Sequence, residues 1–201
     1  MSGGHVALVL AAGGSRRLGR PKQLLTRDGE TLVHRTARLA FESGAGRVLV
    51  VLGAARREVE AAVAGLGCEV VANPAWEQGL AGSLRAAAAH LQAADGRVLV
   101  LPCDLPGLEA AQLRALLDAA AAASSGCAAT RLGDVVGVPA VVPGRWWRED
   151  ALDGDRGFGA RLRALAPGTL GVVAHDGLAL DVDTAADVEA AWARGWLARG
   201  G

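Results

Sequence analysis

Basic and acidic side chains balance at 21 each in 201 residues, so the chain lacks the net field that draws a protein to nucleic acid. Hydrophobic residues make up 51%, enough for a packed core, yet no run reaches the ~20 apolar residues of a membrane span. The N-terminus has neither the basic start nor the long apolar stretch of a signal peptide, and the expectation is one soluble, cytoplasmic domain over residues 1–201 with no nucleic-acid or membrane partner. Cys68, Cys103 and Cys127 are odd in number and widely spaced; they read as buried free thiols rather than as metal ligands. The four histidines are scattered and form no triad.

Taken in chain order, residues 5–10 read as a buried strand that opens the domain. Residues 31–42 then read as helix, 47–52 as strand, 56–64 as helix, 68–72 as extended, 80–94 as helix, 97–101 as strand and 109–123 as helix. This alternation predicts an α/β fold, Rossmann-like and three-layered, with a mostly parallel sheet covered by helices on both faces. Ligands of such sheets bind outside the carboxyl ends of the strands. The loop after residue 10, Asn73 and Asp104 all follow strands and are expected on that edge. The second half is less regular. Residues 127–131 and 135–142 read as strands around a turn, 146–152 and 156–166 as helices, 170–174 and 178–182 as short strands, and 185–198 as the last helix.

The segment after the first strand is the most informative. Ala11, Ala12, Gly13 and Gly14 let the backbone approach a ligand closely and take unusual dihedrals. Ser15, Arg16, Arg17, Leu18 and Gly19 follow, and Lys22 lies three residues further on. Small residues present backbone N–H groups to an anion and the cations neutralise it, which is the chemistry of a triphosphate cradle. It is not a Walker loop, because no Gly-Lys-Ser/Thr follows four residues after a glycine. It is not the dinucleotide fingerprint Gly-x-Gly-x-x-Gly either.

The run Leu-Ala-Ala-Gly-x-Ser-x-Arg-Leu-Gly-x-x-Lys-x-Leu-Leu resembles the signature loop of the nucleotide-diphospho-sugar transferase superfamily, and most closely its molybdenum cofactor nucleotidyltransferases. The double alanine resembles the cytidylyltransferase members. The resemblance covers nearly the whole chain and implies Mg²⁺-dependent transfer of a nucleoside monophosphate, CMP from CTP, to a phosphorylated acceptor with release of pyrophosphate. It implies a molybdopterin-type acceptor, and a molybdoenzyme or its chaperone as protein partner. Residues 1–125 would form the nucleotide-binding half and 126–201 the acceptor-binding half. Two alternatives stand beside this reading: another NTP such as GTP or a non-pterin acceptor, and an NAD(P)H-dependent oxidoreductase on the same fold.

Asp104 lies between Pro102 and Pro106 at the end of an apolar strand and resembles the family's metal-binding Asp-x-Pro. Mg²⁺ takes one or two carboxylates, with phosphates and water. A helix cap is the plain alternative, but the next helix begins too far along. The second carboxylate is expected from Asp181-Val182-Asp183-Thr184, which resembles the family's Asp-x-Asp-Thr-x-x-Asp. Asp183 is expected to bind metal, with Asp181 on the same strand face close behind; Thr184 and Asp187 read as a helix cap. Lys22 is the expected transition-state cation, with Arg16 also catalytic and only one of Arg16 and Arg17 reaching the β- and γ-phosphates. Asn73 and Ser83 are expected at the nucleotide, where a turn and helix cap explain them equally well, and Trp76 is expected to pack rather than stack on a base. Gly79, Gly137, Pro139, Asp155 and Gly157 are expected to bind the acceptor, with Asp155 and Arg156 equally explained as a cap. Val138 stands where the cofactor cytidylyltransferases usually carry His.

Overall fold

In the computed structural model, residues 4–92, 96–147 and 158–199 are described. In chain order the regular elements are β1 (Val6–Ala11), β2 (Thr26–Arg27), β3 (Glu30–Thr31), α1 (Leu32–Glu42), β4 (Arg47–Leu52), α2 (Arg56–Ala62), β5 (Glu69–Ala72), α3 (Leu80–Leu91), β6 (Arg97–Pro102), α4 (Ala110–Ala122), β7 (Ala128–Leu132), β8 (Val135–Pro143), α5 (Gly159–Arg163), β9 (Gly171–Val173) and α6 (Ala185–Ala193).

Near-continuous apolar runs put β1, β4 and β6 at the centre of the sheet, where both faces are covered. Side chains alternate between the two faces. Ala7, Val9, Val48, Val50 and Leu101 pack against Val33 and Leu39 of α1, Val59 of α2, and Leu113 and Leu116 of α4. Leu8, Leu49, Val51 and Val100 pack on the other face against Leu84 and Leu91 of α3 and Leu162 of α5. The expected three layers are present. A third apolar cluster joins Leu25 and Leu32 to Val182, Val188 and Leu197, and seats α6 beside the first loop.

The strand order is β5-β4-β1-β6-β8-β7-β9. The pairs β1–β4, β4–β5, β1–β6 and β7–β9 are parallel, and β6–β8 and β7–β8 are antiparallel. The chain winds outward in one direction through β4 and β5 and in the other through β6. The carboxyl ends of β1 and β6 therefore flank the point where strand order reverses, the usual place for a ligand in open α/β sheets.

Several boundaries differ from the sequence reading. No strand forms over 178–182. Residues 176–178 make a 3₁₀ turn, and the following backbone bonds to the loop after β6 rather than to a sheet neighbour. Residues 144–147 form a 3₁₀ turn in place of the expected helix start, and the rest of that segment, like 156–157, lies outside the described residues. The helices α3 and α6 end at Leu91 and Ala193, and α5 spans only Gly159–Arg163. The sequence also hid the small β2–β3 hairpin behind the phosphate loop.

Candidate active site

The loop from Ala12 to Pro21 leaves β1 and folds back on itself at Ser15. Ser15 adopts a left-handed φ of 47°, and its carbonyl accepts from the N–H groups of Leu18 and Gly19, both at 3.0 Å. A second constraint comes from Trp76. A Cβ on Gly14 would lie 2.5 Å from the Trp76 ring, and one on Gly53 would lie 2.4 Å from Trp76 Cβ and 2.7 Å from Ala12 O. Trp76 is half-buried against the loop and also lines the pocket that the loop borders. Only glycine lets β1, the β4 end and this indole approach so closely.

The loop borders an open pocket of about 300 Å³ lined by Gly13, Gly14, Ser15, Arg16, Arg17 and Lys22, with Glu77, Gly79 and Asp183 opposite. Both arginines line it. The tight turn at Ser15 sends the two side chains to different walls. Arg16 pairs with Glu77 at 2.8 Å and lies over Trp76 at 5.7 Å, whereas Arg17 pairs with Asp183 at 2.5 Å. Both are about 70% exposed, so these pairs are weak enough to yield to a polyanion. Leu18 instead packs into the third apolar cluster and anchors the loop.

Lys22 sits deeper. Its Nζ donates to Asp104 Oδ2 at 2.6 Å and to Asp183 Oδ1 at 2.5 Å, with the Lys22 and Asp104 side chains only 13% and 16% exposed. Burial opposes the ammonium charge, but the two carboxylates outweigh it and hold the lysine above its ordinary pKa. Burial pushes the Asp104 carboxyl up, against the pull of Lys22. Asp104 Oδ1 is buried with no hydrogen-bond partner. Asp104 and Asp183 form a donor set suited to a hard divalent cation that completes its shell with phosphates and water. Among the described residues no group of three or more His, Cys, Asp or Glu offers a fuller cage.

The loop after β6 is held rigidly. Arg27 Nη1 donates to Pro106 O at 2.7 Å and Arg35 Nη2 donates to Leu108 O at 3.0 Å, and both arginines also pair with Glu109. Glu109 and Gln112 cap α4, so Asp104 is not a helix cap. Val182 N–H donates to Asp104 O at 2.9 Å, which brings Asp183 to Lys22 and leaves Asp181 exposed beside the cluster. Thr184 and Asp187 form the expected capping box of α6.

Asn73 and Ser83 come together, but with each other. Asn73 Nδ2 donates to Ser83 Oγ at 3.2 Å, Asn73 Oδ1 accepts from Ala75 N–H, and both residues are buried. Gly137 lies on the wall of a separate apolar cleft of about 300 Å³ formed by Leu10, Leu80, Leu84, Val138, Phe158 and Leu162. Pro139 is buried in β8 with its carbonyl accepting from Thr130 Oγ1. Gly79 lies on the phosphate pocket rather than on this cleft. Asp155, Arg156 and Gly157 lie outside the described residues. Cys103 is buried, and burial raises its thiol pKa well above the ordinary value, as packing requires.

A model of the MobA-like NTP transferase domain matches residues 7–170. The chain belongs to the MobA-like NTP transferase family. It is 40% identical over 103 residues to the probable molybdenum cofactor guanylyltransferase of Opitutus terrae, covering 51% of this chain and 49% of that protein. The chain spans a still smaller share, about 30% or less, of other curated relatives it matches. Among solved structures it is similar to Rv0371c from Mycobacterium tuberculosis H37Rv, with 32% identity, a TM-score of 0.79, and coverage of 94% of this chain and 97% of that one. A complex of the same mycobacterial protein with manganese aligns at 30% identity and a TM-score of 0.74, over 93% and 97% of the two chains. The family's NTP transferase domain, that of nucleotidyltransferases, therefore spans both β1 with its loop and the Asp104 strand.

Two members of the site escaped the sequence reading. Glu77, three residues beyond Pro74, is the counter-ion of Arg16, and nothing local to it signals that contact. Gln23 is 1% exposed beneath the loop. A polar residue between Lys22 and the apolar pair Leu24-Leu25 was its only sequence signal.

Proposed function

We propose that this chain transfers CMP from CTP to the terminal phosphate of a molybdopterin-type acceptor and releases pyrophosphate. The observation that carries the reading is the ion cluster at the strand-order reversal. Lys22, Asp104 and Asp183 meet within 2.6 Å contacts beside a Gly-rich loop lined by two further cations.

In this reading the loop N–H groups, Arg16 and Arg17 receive the β- and γ-phosphates, exchanging their pairs with Glu77 and Asp183 for the stronger polyanion. Lys22 Nζ has three donors; two hold Asp104 and Asp183, and the third serves an α-phosphoryl oxygen as charge builds on it. An acceptor phosphate oxygen attacks the α-phosphorus, the bond from that phosphorus to the bridging oxygen breaks, and pyrophosphate leaves with the electron pair. No covalent enzyme intermediate is needed. Asp104 and Asp183 would hold Mg²⁺, which supplies Lewis-acid neutralisation of phosphate charge when bound. The manganese complex of the similar Rv0371c supports a divalent ion here. Gly137 and the apolar cleft beside it would receive the body of the acceptor.

A second reading, GTP as donor, is favoured by the guanylyltransferase name of the Opitutus relative. The test is pyrophosphate release with CTP, GTP, ATP and UTP in Mg²⁺, with and without molybdenum-loaded or metal-free molybdopterin. Acceptor-dependent release with CTP, reduced at least about 100-fold in Asp104→Asn, is the expected result. Release with GTP alone would replace CTP by the second reading. No release with any NTP would sink the molybdopterin acceptor.

A further inference from the structure

Gln23 is 1% exposed and follows Lys22 directly. Its Nε2 donates to Ala11 O at 2.9 Å and to Gly13 O at 2.7 Å, and its Oε1 accepts from Ser15 Oγ at 3.4 Å. Ser15 Oγ in turn accepts the Lys22 backbone N–H at 3.0 Å. One carboxamide thus binds the start of the phosphate loop, its middle, and Ser15, which in turn holds the Lys22 backbone.

These bonds set the direction of the loop peptides. In a trans peptide the carbonyl and the following N–H point opposite ways. Pinning Gly13 O onto Gln23 turns the Gly14 N–H away from Gln23, and Gly14 lines the phosphate pocket. A carbonyl free to turn into that pocket would present its negative end to an anion. Glutamine is suited to prevent this because one nitrogen offers two donors and the adjacent oxygen accepts a third bond. Fixing donors before the ligand arrives removes reorganisation from the binding and chemical steps.

We infer that Gln23 is a positioning residue of the triphosphate loop, holding the Ala11 and Gly13 carbonyls away from the pocket so that backbone N–H groups and Lys22 meet the phosphates. The inference rests on the nucleotidyl-transfer reading and goes into how that site is built. It predicts a defect confined to the phosphates, whereas a general loosening of the fold would weaken recognition of every part of the nucleotide.

The experiment is titration calorimetry in Mg²⁺ with inorganic tripolyphosphate, the four NTPs and their nucleosides. It compares wild type with Gln23→Met, which fills the same volume without donors. Gln23→Asn, which keeps the carboxamide but retracts it by one methylene, carries the same comparison if the methionine variant fails to fold. The expected result is a loss of about 10- to 100-fold in affinity for tripolyphosphate and the bound NTP, with nucleoside affinity unchanged. Wild-type tripolyphosphate affinity in a folded variant would overturn the proposal, and so would equal losses for nucleoside and NTP. A wild-type protein that binds no triphosphate at all would overturn the functional reading itself, and the proposal with it.

Discussion

Lys22 holds Asp104 and Asp183, the two carboxylates that would ligate the divalent cation in the proposed reaction, so lysine and metal would compete for them. Replacing Lys22 by Met therefore has two opposite effects. Turnover should fall about 100- to 1000-fold, the range for removal of one donor to developing negative charge. Metal affinity without nucleotide should rise, because Asp104 and Asp183 lose their built-in counter-charge. Thermal unfolding with and without Mn²⁺ reads this directly through binding linkage. The midpoint of Lys22→Met should be lower than wild type in chelator and should climb more on adding Mn²⁺. A smaller metal-induced rise in the variant would show that Lys22 does not compete for these carboxylates.

At the scale of elements, the site depends on docking residues 176–184 against the loop after β6. Gly107 and Gly177 meet backbone to backbone: a Cβ on Gly177 would lie 2.6 Å from Gly107 O and 2.8 Å from Gln112 Nε2. Gln112 Nε2 also contacts His175 Nδ1 at 2.9 Å, and Val182 N–H closes the seam onto Asp104 O. Gly177→Ala should cost about 1–3 kcal/mol by overpacking and should also lower turnover, because displacement of this seam moves Asp183 off Lys22. Urea unfolding and steady-state kinetics together check it; loss of stability with unchanged turnover would separate the seam from the site. The same seam shows where sequence reading stopped. Ala11 to Lys22 and Asp104 were legible because small residues, cations and flanking prolines sit next to one another in the chain. The placement of Asp183 was legible by motif, but its apparent strand was not real. Val182 finds its partner 78 residues away at Asp104, and no local period records that. Gln23 was missed for the same reason: its bonds reach back across the loop, while its immediate neighbours suggest only an apolar turn.

Across the whole molecule, strand and helix alternation predicted the parallel core, because each central strand is a continuous apolar run that only a doubly covered sheet can bury. The antiparallel insertion of β8 between β6 and β7 was not legible, since strand pairing order is set by long-range packing rather than by the runs themselves. The end of this sheet opposite the candidate active site holds a histidine whose titration bears on stability in mild acid. His5, at the start of β1, is buried, bonds to Ser43 Oγ at 2.9 Å, and has its pKa lowered first by burial and then by Arg97. The unfolded chain takes up a proton on this imidazole near its ordinary value of about 6.5, whereas the folded protein takes it up only at lower pH. Its contribution to stability is therefore intact above that value and declines as pH falls toward the folded-state pKa. The slope for one proton is at most about 1.4 kcal/mol per pH unit. Glu30, Glu69 and Asp187 are shifted down, by hydrogen bonds from Arg38, Arg47 and Thr184 respectively. Their stabilisation is present above the ordinary carboxylate range and is lost as pH falls through it. Acid destabilisation should thus come in two phases. Urea unfolding of wild type and His5→Gln from pH 8 to pH 3.5 separates them: the variant should lose the phase just below about pH 6.5 and keep the carboxylate phase. Superimposable curves would show that His5 does not carry the first phase.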